Sequence, residues 1–459
     1  MRFTQYYLDC LSQASYLIAD EVTGQAVVVD PRRDVAEYLD DARAYGLSIV
    51  GIINTHFHAD FVSGHLELAR ETGAWIGYGE AASPEFEVRS LGDGERISLG
   101  DVTLEIMATP GHTPESISVL VREHDDDDVP YGVLTGDALF IGDVGRPDLL
   151  ASVGVTGDQL GRMLYDSVQH KLMGLPDEVR VFPAHGAGSA CGKNLSTEKQ
   201  STIGEQRRFN YACQPTSESA FVDLVTEGQP AAPAYFIYNA TLNKAERGVR
   251  DTDATVPALT DEQVDEALAG GAILVDARDQ QEFAAGHLGG SISIPTDGRL
   301  AETVGTVLEP TQAFVLLAPA EQVQEVAVRF ARIGFDQVLG HVTDVEAYLL
   351  AREDRVERAS RLTVAQVEEV CDRDSVQVVD IRNVGELAQG SIPGSTHLPL
   401  AELRTRIGEL DPARPVVLYC AGGWRSNVGA SVLRAQGFSD VSDLIGGYNA
   451  WALTHSLAS

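Results

Sequence analysis

Positive charge is scarce in this chain: 34 Lys and Arg stand against 68 Asp and Glu, a formal net charge of −34 over 459 residues. Nucleic acid or an anionic membrane would be repelled by that balance, so neither is expected as a partner. Cysteine is scarce too. Cys10, Cys191, Cys213, Cys371 and Cys420 form no C-x-x-C pair and are too few and scattered for a disulfide framework, so each is read as a reduced thiol. No apolar run reaches the roughly eighteen residues that span a bilayer. The start, Met1-Arg2-Phe3-Thr4-Gln5-Tyr6-Tyr7, has no charged segment leading into an apolar block, so no secretory signal is expected. These absences together predict a soluble cytoplasmic protein.

What is present is globular: 44% hydrophobic and 22% charged residues, in a chain too long for one core and suited to about three domains. The charge is unevenly spread. Residues 251–354 carry a net −14 and residues 355–459 only −2, so the C-terminal third is the easiest place to admit a small anion. The tetrad Asp125-Asp126-Asp127-Asp128 repels itself and fits a solvated turn. It lacks the alternating ligand spacing of a calcium loop.

The stretch that organises the chain is Thr55-His56-Phe57-His58-Ala59-Asp60, between the apolar run Ile49-Val50-Gly51-Ile52-Ile53 and the turn Ser63-Gly64. Alternate side chains of extended backbone face the same way, so His56, His58 and Asp60 share one side. Upstream, Tyr16-Leu17-Ile18-Ala19 and Ala26-Val27-Val28-Val29-Asp30 read as strands, and Val35 to Tyr45 as a helix. Downstream, Thr109-Pro110-Gly111-His112-Thr113, Leu134-Thr135-Gly136-Asp137 and Phe182-Pro183-Ala184-His185-Gly186 each place a His or Asp in a turn after a strand-like run.

Four such turns in this order resemble the metallo-β-lactamase fold family. One departure stands out. Binuclear zinc hydrolases of that family usually carry His directly after the motif Asp, and here the position is Phe61, which cannot ligate. The run Gly142-Asp143-Val144-Gly145-Arg146-Pro147-Asp148 narrows the resemblance of residues 1–250 to the persulfide dioxygenases. That resemblance implies one Fe(II) per chain, held by His56, His112 and Asp137, with His58, Asp60 and His185 around them. Two His and one carboxylate leave open positions on non-haem Fe(II). Arg146 either holds a substrate carboxylate or pairs with Asp143 or Asp148. Cys191, in the loop Gly186-Ala187-Gly188-Ser189-Ala190-Cys191-Gly192, is either a persulfide-accepting thiol or a buried apolar residue.

The rest of the chain repeats itself. Leu274-Val275-Asp276-Ala277-Arg278, Glu282-Phe283 and Ile294-Pro295 return 104 residues later as Val379-Asp380-Ile381-Arg382, Glu386-Leu387 and Leu398-Pro399. Two copies of one α/β unit are implied. In the second, the strand Val416-Val417-Leu418-Tyr419 runs into Cys420-Ala421-Gly422-Gly423-Trp424-Arg425-Ser426, with a helix expected near Asn427. Loop amides and a helix N-terminus stabilise anions, which suits a nucleophilic thiol able to hold a persulfide. Both copies resemble the rhodanese domain, and C-x-x-G-x-R-S resembles its active loop. That gives Cys420 and Arg425 the catalytic roles, with Gly423 and Ser426 in the persulfide loop. The first copy has Ala318 in place of the Cys, followed by Pro319-Ala320-Glu321-Gln322, and is expected to be inactive.

The expected architecture is α/β: an αββα sandwich of metallo-β-lactamase type over residues 1–250, an inactive rhodanese-like domain over 256–354 and a catalytic one over 358–459, joined through Asp251-Thr252-Asp253-Ala254-Thr255. The resemblance implies a thiol persulfide, O₂, sulfite and thiosulfate as small-molecule partners. A glyoxalase II-type Zn²⁺ hydrolase and a sulfur-carrier scaffold are the rival readings. The motifs leave both a monomer and a homo-oligomer open.

Overall fold

The computed structural model describes residues 1–149, 155–229, 232–251, 254–371 and 375–458. Thr252 and Asp253 of the expected linker, and Ser459 at the end of the third expected domain, lie outside the described residues. The chain divides into two compact units. One comprises Met1–Ala232 with Phe236–Asp253, the other Pro233–Tyr235 with Ala254–Ser459.

The first unit is built on two six-stranded sheets. In spatial order the strands of one are Arg2–Leu8, Gln13–Ala19, Gln25–Val29, Ser48–Ile53, Trp75–Gly79 and Arg89–Leu91. Those of the other are Ser201–Thr202, Arg180–Pro183, Gly132–Gly136, Ile117–Arg122, Thr103–Ala108 and Arg96–Ser98. The two-residue period of a strand sorts its side chains between layers. Val27 and Val29 point into a core shared with Leu104, Val119 and Phe182 of the opposite sheet. Ala26 and Val28, which alternate with them in sequence, pack with Tyr38 and Ala42 of the helix Ala36–Tyr45 and Leu68 of the helix His65–Thr72. The outer face of the second sheet takes Leu164, from the helix Gly157–Asp166, and Phe221. This is the expected αββα sandwich. Strands buried on both faces read as the continuous apolar runs that the sequence shows.

The second unit carries the repeat. Its two five-stranded sheets are wholly parallel and have the same strand order: Ala258–Leu259, Val338–Val342, Phe314–Leu317, Ile273–Asp276, Ile292–Ser293 in one, and Ser360–Leu362, Val441–Leu444, Val416–Tyr419, Gln377–Asp380, Thr396–His397 in the other. Both copies fall in one compact unit, and buried polar contacts join them: Ser293 of the first bonds Asn427 and Ser431 of the second. The helix after Cys420 begins at Trp424, three residues before the expected Asn427, and runs to Ala435. Among the described residues no helix is long and apolar enough to cross a membrane.

Candidate functional site

Each imidazole at the mouth of the sandwich is fixed from outside. His56 Nδ1 bonds Thr55 Oγ1 at 2.9 Å, His112 Nδ1 donates to the Arg146 carbonyl at 2.9 Å and His185 Nδ1 to the Ser12 carbonyl at 3.3 Å. A ring that donates through one nitrogen turns a lone pair inward on the other. The inward Nε2 atoms of His56 and His112 lie 3.8 and 3.5 Å from Asp137 Oδ2. His185 Nε2 lies 3.5 Å from Asp137 Oδ1 and 3.4 Å from Asp60 Oδ2. All these groups are buried. Among the described residues, neither carboxylate of Asp60 or Asp137, nor His58 Nδ1, nor His185 Nε2, has a hydrogen-bond partner.

Acceptor lone pairs that face carboxylates across 3.4–3.8 Å repel unless a cation or a proton comes between them. The donors fall into three groups whose ligand atoms lie within 4.8 Å of one another: His56, His112 and Asp137; His58, Asp60 and His185; and Asp137, His185 and Cys191. The first is the set the sequence singled out. The second means that Phe61, buried with its ring 4.3 Å from His58, removes one donor but leaves three others together. Burial pushes Asp60 and Asp137 up to about 6, holds His56 well below its ordinary range, lowers His185 and brings His112 down to about 4. His58 goes the other way: burial lowers it, but Asp30, with Asp60 and Asp137, outweighs that and raises it. A bound metal ion fits such a set, since it supplies the missing positive charge to neutral imidazoles and carboxylates.

Two flanking residues are now placed. Arg146 is buried and clamps Asp148 with two bonds of 2.7 Å, which pins the loop beside His112. Gly145 in that loop has to be glycine, because a Cβ there would sit 2.1 Å from the Asp137 carbonyl. The Cys191 thiol is buried and pushed well above its usual range, first by burial and then by Asp60 and Asp137, which favours the neutral thiol wherever no metal ion takes it as a ligand.

At the second candidate site the Gly423 N–H donates to Cys420 Sγ at 3.1 Å and Ser426 Oγ lies 3.6 Å from the sulfur. Gly423 takes φ +94 as the residue capping the twelve-residue helix, a conformation that favours glycine. The positive end of that helix therefore adjoins the sulfur. Arg425 is not a free charge: Glu386 binds it at 2.7 and 2.8 Å. In the first copy, Ala318 is buried, while Gln322 accepts from Thr296 Oγ1 at 2.8 Å and Arg329 donates to the Thr296 carbonyl at 2.9 Å.

The metallo-beta-lactamase superfamily profile matches residues 8–185, and the rhodanese-like domain profile matches 260–342 and 363–454. The mitochondrial persulfide dioxygenase ETHE1 of Homo sapiens is 31% identical over 202 residues, which are 43% of this chain and 69% of that protein. The chain belongs to the persulfide dioxygenase family of the metallo-β-lactamase superfamily, fused to two rhodanese-like domains. A hydroxyacylglutathione hydrolase from a Polaromonas species is also 31% identical, over 225 residues, 48% of this chain and 74% of that protein. A metallo-beta-lactamase from Staphylococcus aureus, solved as a crystal structure, is 32% identical with a TM-score of 0.67; the match covers 74% of this chain and 98% of that one.

Within this family member, sequence reading missed the residues that hold the ligand loop from behind. Asp30, at φ +52, accepts from the Thr55 N–H, the Thr55 hydroxyl and His58 Nε2 at 2.7, 2.8 and 2.9 Å. Asn243 donates to the carbonyls of His58 and Phe61 and accepts from the Ser63 N–H, at 2.8, 2.8 and 2.9 Å. Glu115 takes the Phe57 N–H at 3.0 Å. The Asp ending the run Val27-Val28-Val29-Asp30 was the one visible signal, since Asp tolerates a left-handed turn. Asn243 lies 180 residues from Ser63, and nothing local marks it.

Proposed function

We propose that this protein oxidises a low-molecular-weight thiol persulfide with O₂ at one Fe(II) per chain and exchanges sulfane sulfur with sulfite at Cys420. The overall first reaction is R–S–SH + O₂ + H₂O giving R–SH, hydrogen sulfite and a proton. The reading rests above all on His56, His112 and Asp137, buried together with imidazole lone pairs inward. It is supported by the kinship to persulfide dioxygenases and by the rhodanese-type loop on the same chain.

When bound, an Fe(II) in that set supplies open positions and redox chemistry for a persulfide and O₂. The chain's own residues do the rest. Thr55, the Arg146 carbonyl and the Ser12 carbonyl fix the tautomers of His56, His112 and His185. Asp30 anchors His58 Nε2, so that any proton His58 exchanges with the cavity moves through Nδ1. Phe61 closes the wall beside it with an apolar ring that excludes water. At the other site Cys420 carries the transferred sulfur, and the net result is formation or consumption of thiosulfate.

The rival with an observation behind it is a Zn²⁺ hydrolase of thioesters, favoured by the second donor group and the kinship to a hydroxyacylglutathione hydrolase. One experiment separates the two. Protein reconstituted anaerobically with Fe(II) should consume O₂ when given glutathione persulfide, cysteine persulfide or coenzyme A persulfide, and should release sulfite. Thioester cleavage by the Zn²⁺ form, with no O₂ uptake by the Fe(II) form for any persulfide, would establish the hydrolase instead.

A further inference from the structure

Ile292–Ser293 is the outermost strand of the first copy's sheet, so its outward N–H groups lack a ladder partner. The second copy supplies one. Ser293 N–H donates to Ser431 Oγ at 3.0 Å and Ser293 Oγ donates to Asn427 Oδ1 at 2.7 Å, with all three residues buried. Asn427 and Ser431 are one turn apart on the helix Trp424–Ala435. The bend that follows the strand reaches the first residue of that helix: Trp424 Nε1 donates to Asp297 Oδ1 at 3.1 Å. Gly298, at φ +105, lies so close that a Cβ there would be 3.4 Å from the indole. Arg404 of the second copy also pairs with Glu309 of the first.

One short segment of the copy with Ala318 thus grips the helix whose first turn carries Arg425 and Ser426. We propose that Asp297 is a positioning residue for the sulfur-accepting loop: by holding the Trp424 indole it fixes the first helical turn, and with it Ser426 and the Gly423 amide, against Cys420 Sγ. The copy without a nucleophile is then a working part of the other copy's site. This rests on the reading that Cys420 accepts sulfane sulfur. In that step the Cys420 thiolate attacks the outer sulfur of the donor and a new S–S bond forms. The donor's own S–S bond breaks, and its electron pair leaves on R–S⁻, which takes a proton from solvent.

The buried contacts of Ser293 already join the copies, whereas Asp297 and Gly298 are exposed. The Asp297–Trp424 bond is therefore poorly placed to stabilise the fold and well placed to orient the loop.

The test uses the full chain and two readouts at Cys420: the rate of sulfane loading from glutathione persulfide, and the rate of alkylation by iodoacetamide, which involves no sulfur transfer. Asp297→Ala should slow both by about fivefold to tenfold, the range one hydrogen bond covers. Asp297→Asn keeps an acceptor oxygen and should stay within about twofold of wild type. Trp424→Phe should match Asp297→Ala. The double variant should be no slower than Trp424→Phe alone, because both changes remove one interaction. Thermal midpoints of the two Asp297 variants should stay within about 2 °C of wild type, as for exposed positions. Wild-type rates in Asp297→Ala, an Asp297→Asn as slow as Asp297→Ala, or multiplying effects in the double variant would each overturn the proposal. If wild type never loads sulfur while alkylation follows the stated pattern, the sulfur-acceptor reading fails and the positioning role stands.

Discussion

Asp137 is the residue on which the first site turns, since both its oxygens meet inward-facing imidazole nitrogens and neither has a hydrogen bond among the described residues. Removing it deletes a donor shared by two of the three candidate groups. Asp137→Ala and His112→Ala should bring iron from about one per chain to background and abolish O₂ uptake, read by elemental analysis and an oxygen electrode. His58→Ala should be milder, because His58 is outside the set of His56, His112 and Asp137. Iron retained by Asp137→Ala but lost from His58→Ala would show that the other donor group holds the metal.

The buried carboxyls also fix a pH signature. Asp60 and Asp137 rise from 3.8 to about 6 in the metal-free fold, so the folded state binds protons that the unfolded chain has released. Stability from such groups is complete below about 4 and is lost as pH rises through about 6. The lowered histidines of the site act in the opposite direction, in both proteins alike, so the carboxyl contribution is read as a difference: between pH 4 and 7 metal-stripped protein should lose stability relative to metal-stripped Asp137→Asn, which has one fewer of these carboxyls. Added Fe(II) should stabilise the wild type most near pH 7, where proton competition has ended. Parallel melting curves for the two stripped proteins across that window would contradict the site's carboxylate chemistry.

At the scale of elements, the ligand loop is held less by its own sequence than by what stands behind it. Asn243 makes three buried bonds to its backbone, at His58, Phe61 and Ser63. Asn243→Ala would leave these groups unpaired, at about 1–3 kcal/mol for each buried polar group so stranded. Its melting temperature should fall by several degrees and its iron affinity should drop, with both measured on the same preparation. An unchanged melting temperature would mean that water replaces the amide. The contrast between loop and support explains what sequence could tell. His56, His112 and Asp137 announce themselves because each follows an apolar strand and sits in a Gly-, Pro- or Thr-rich turn. Cys420 does so because the loop glycines and Arg425 keep strict spacing. Asn243, Glu115 and Glu386 act across the tertiary fold, where spacing in sequence carries no information. The helix starts before the expected Asn427 for a related reason. Trp424 and Arg425 look like loop residues, and only Gly423 at positive φ reveals that the helix begins after it.

At the scale of the whole molecule, the proposed function would link chemistry at the two candidate sites through a small diffusible anion. The sulfite that the proposed oxidation would release is an anion, and the chain is strongly acidic except in residues 355–459, at net −2. Cys420 lies in that stretch. Sulfite attacking the outer sulfur of a Cys420 persulfide forms thiosulfate, while the broken S–S bond returns its electron pair to Sγ. There the Gly423 N–H, at 3.1 Å, meets the developing charge. Arg425 contributes less than a free guanidinium would, since Glu386 neutralises it. Wild type should thus yield thiosulfate from persulfide and O₂. Cys420→Ser leaves the first unit's residues untouched, so O₂ uptake should continue at the wild-type rate while sulfite accumulates in place of thiosulfate. The copy bearing Ala318 has no thiol to substitute. Sulfite and thiosulfate quantified together during aerobic turnover decide the matter. A Cys420→Ser protein that still makes thiosulfate at the wild-type rate, above the uncatalysed background, would remove Cys420 as the sulfur carrier. The next residue to test would then be Cys191, whose buried thiol, pushed well above its usual range by burial, is poorly suited to the task as the fold stands.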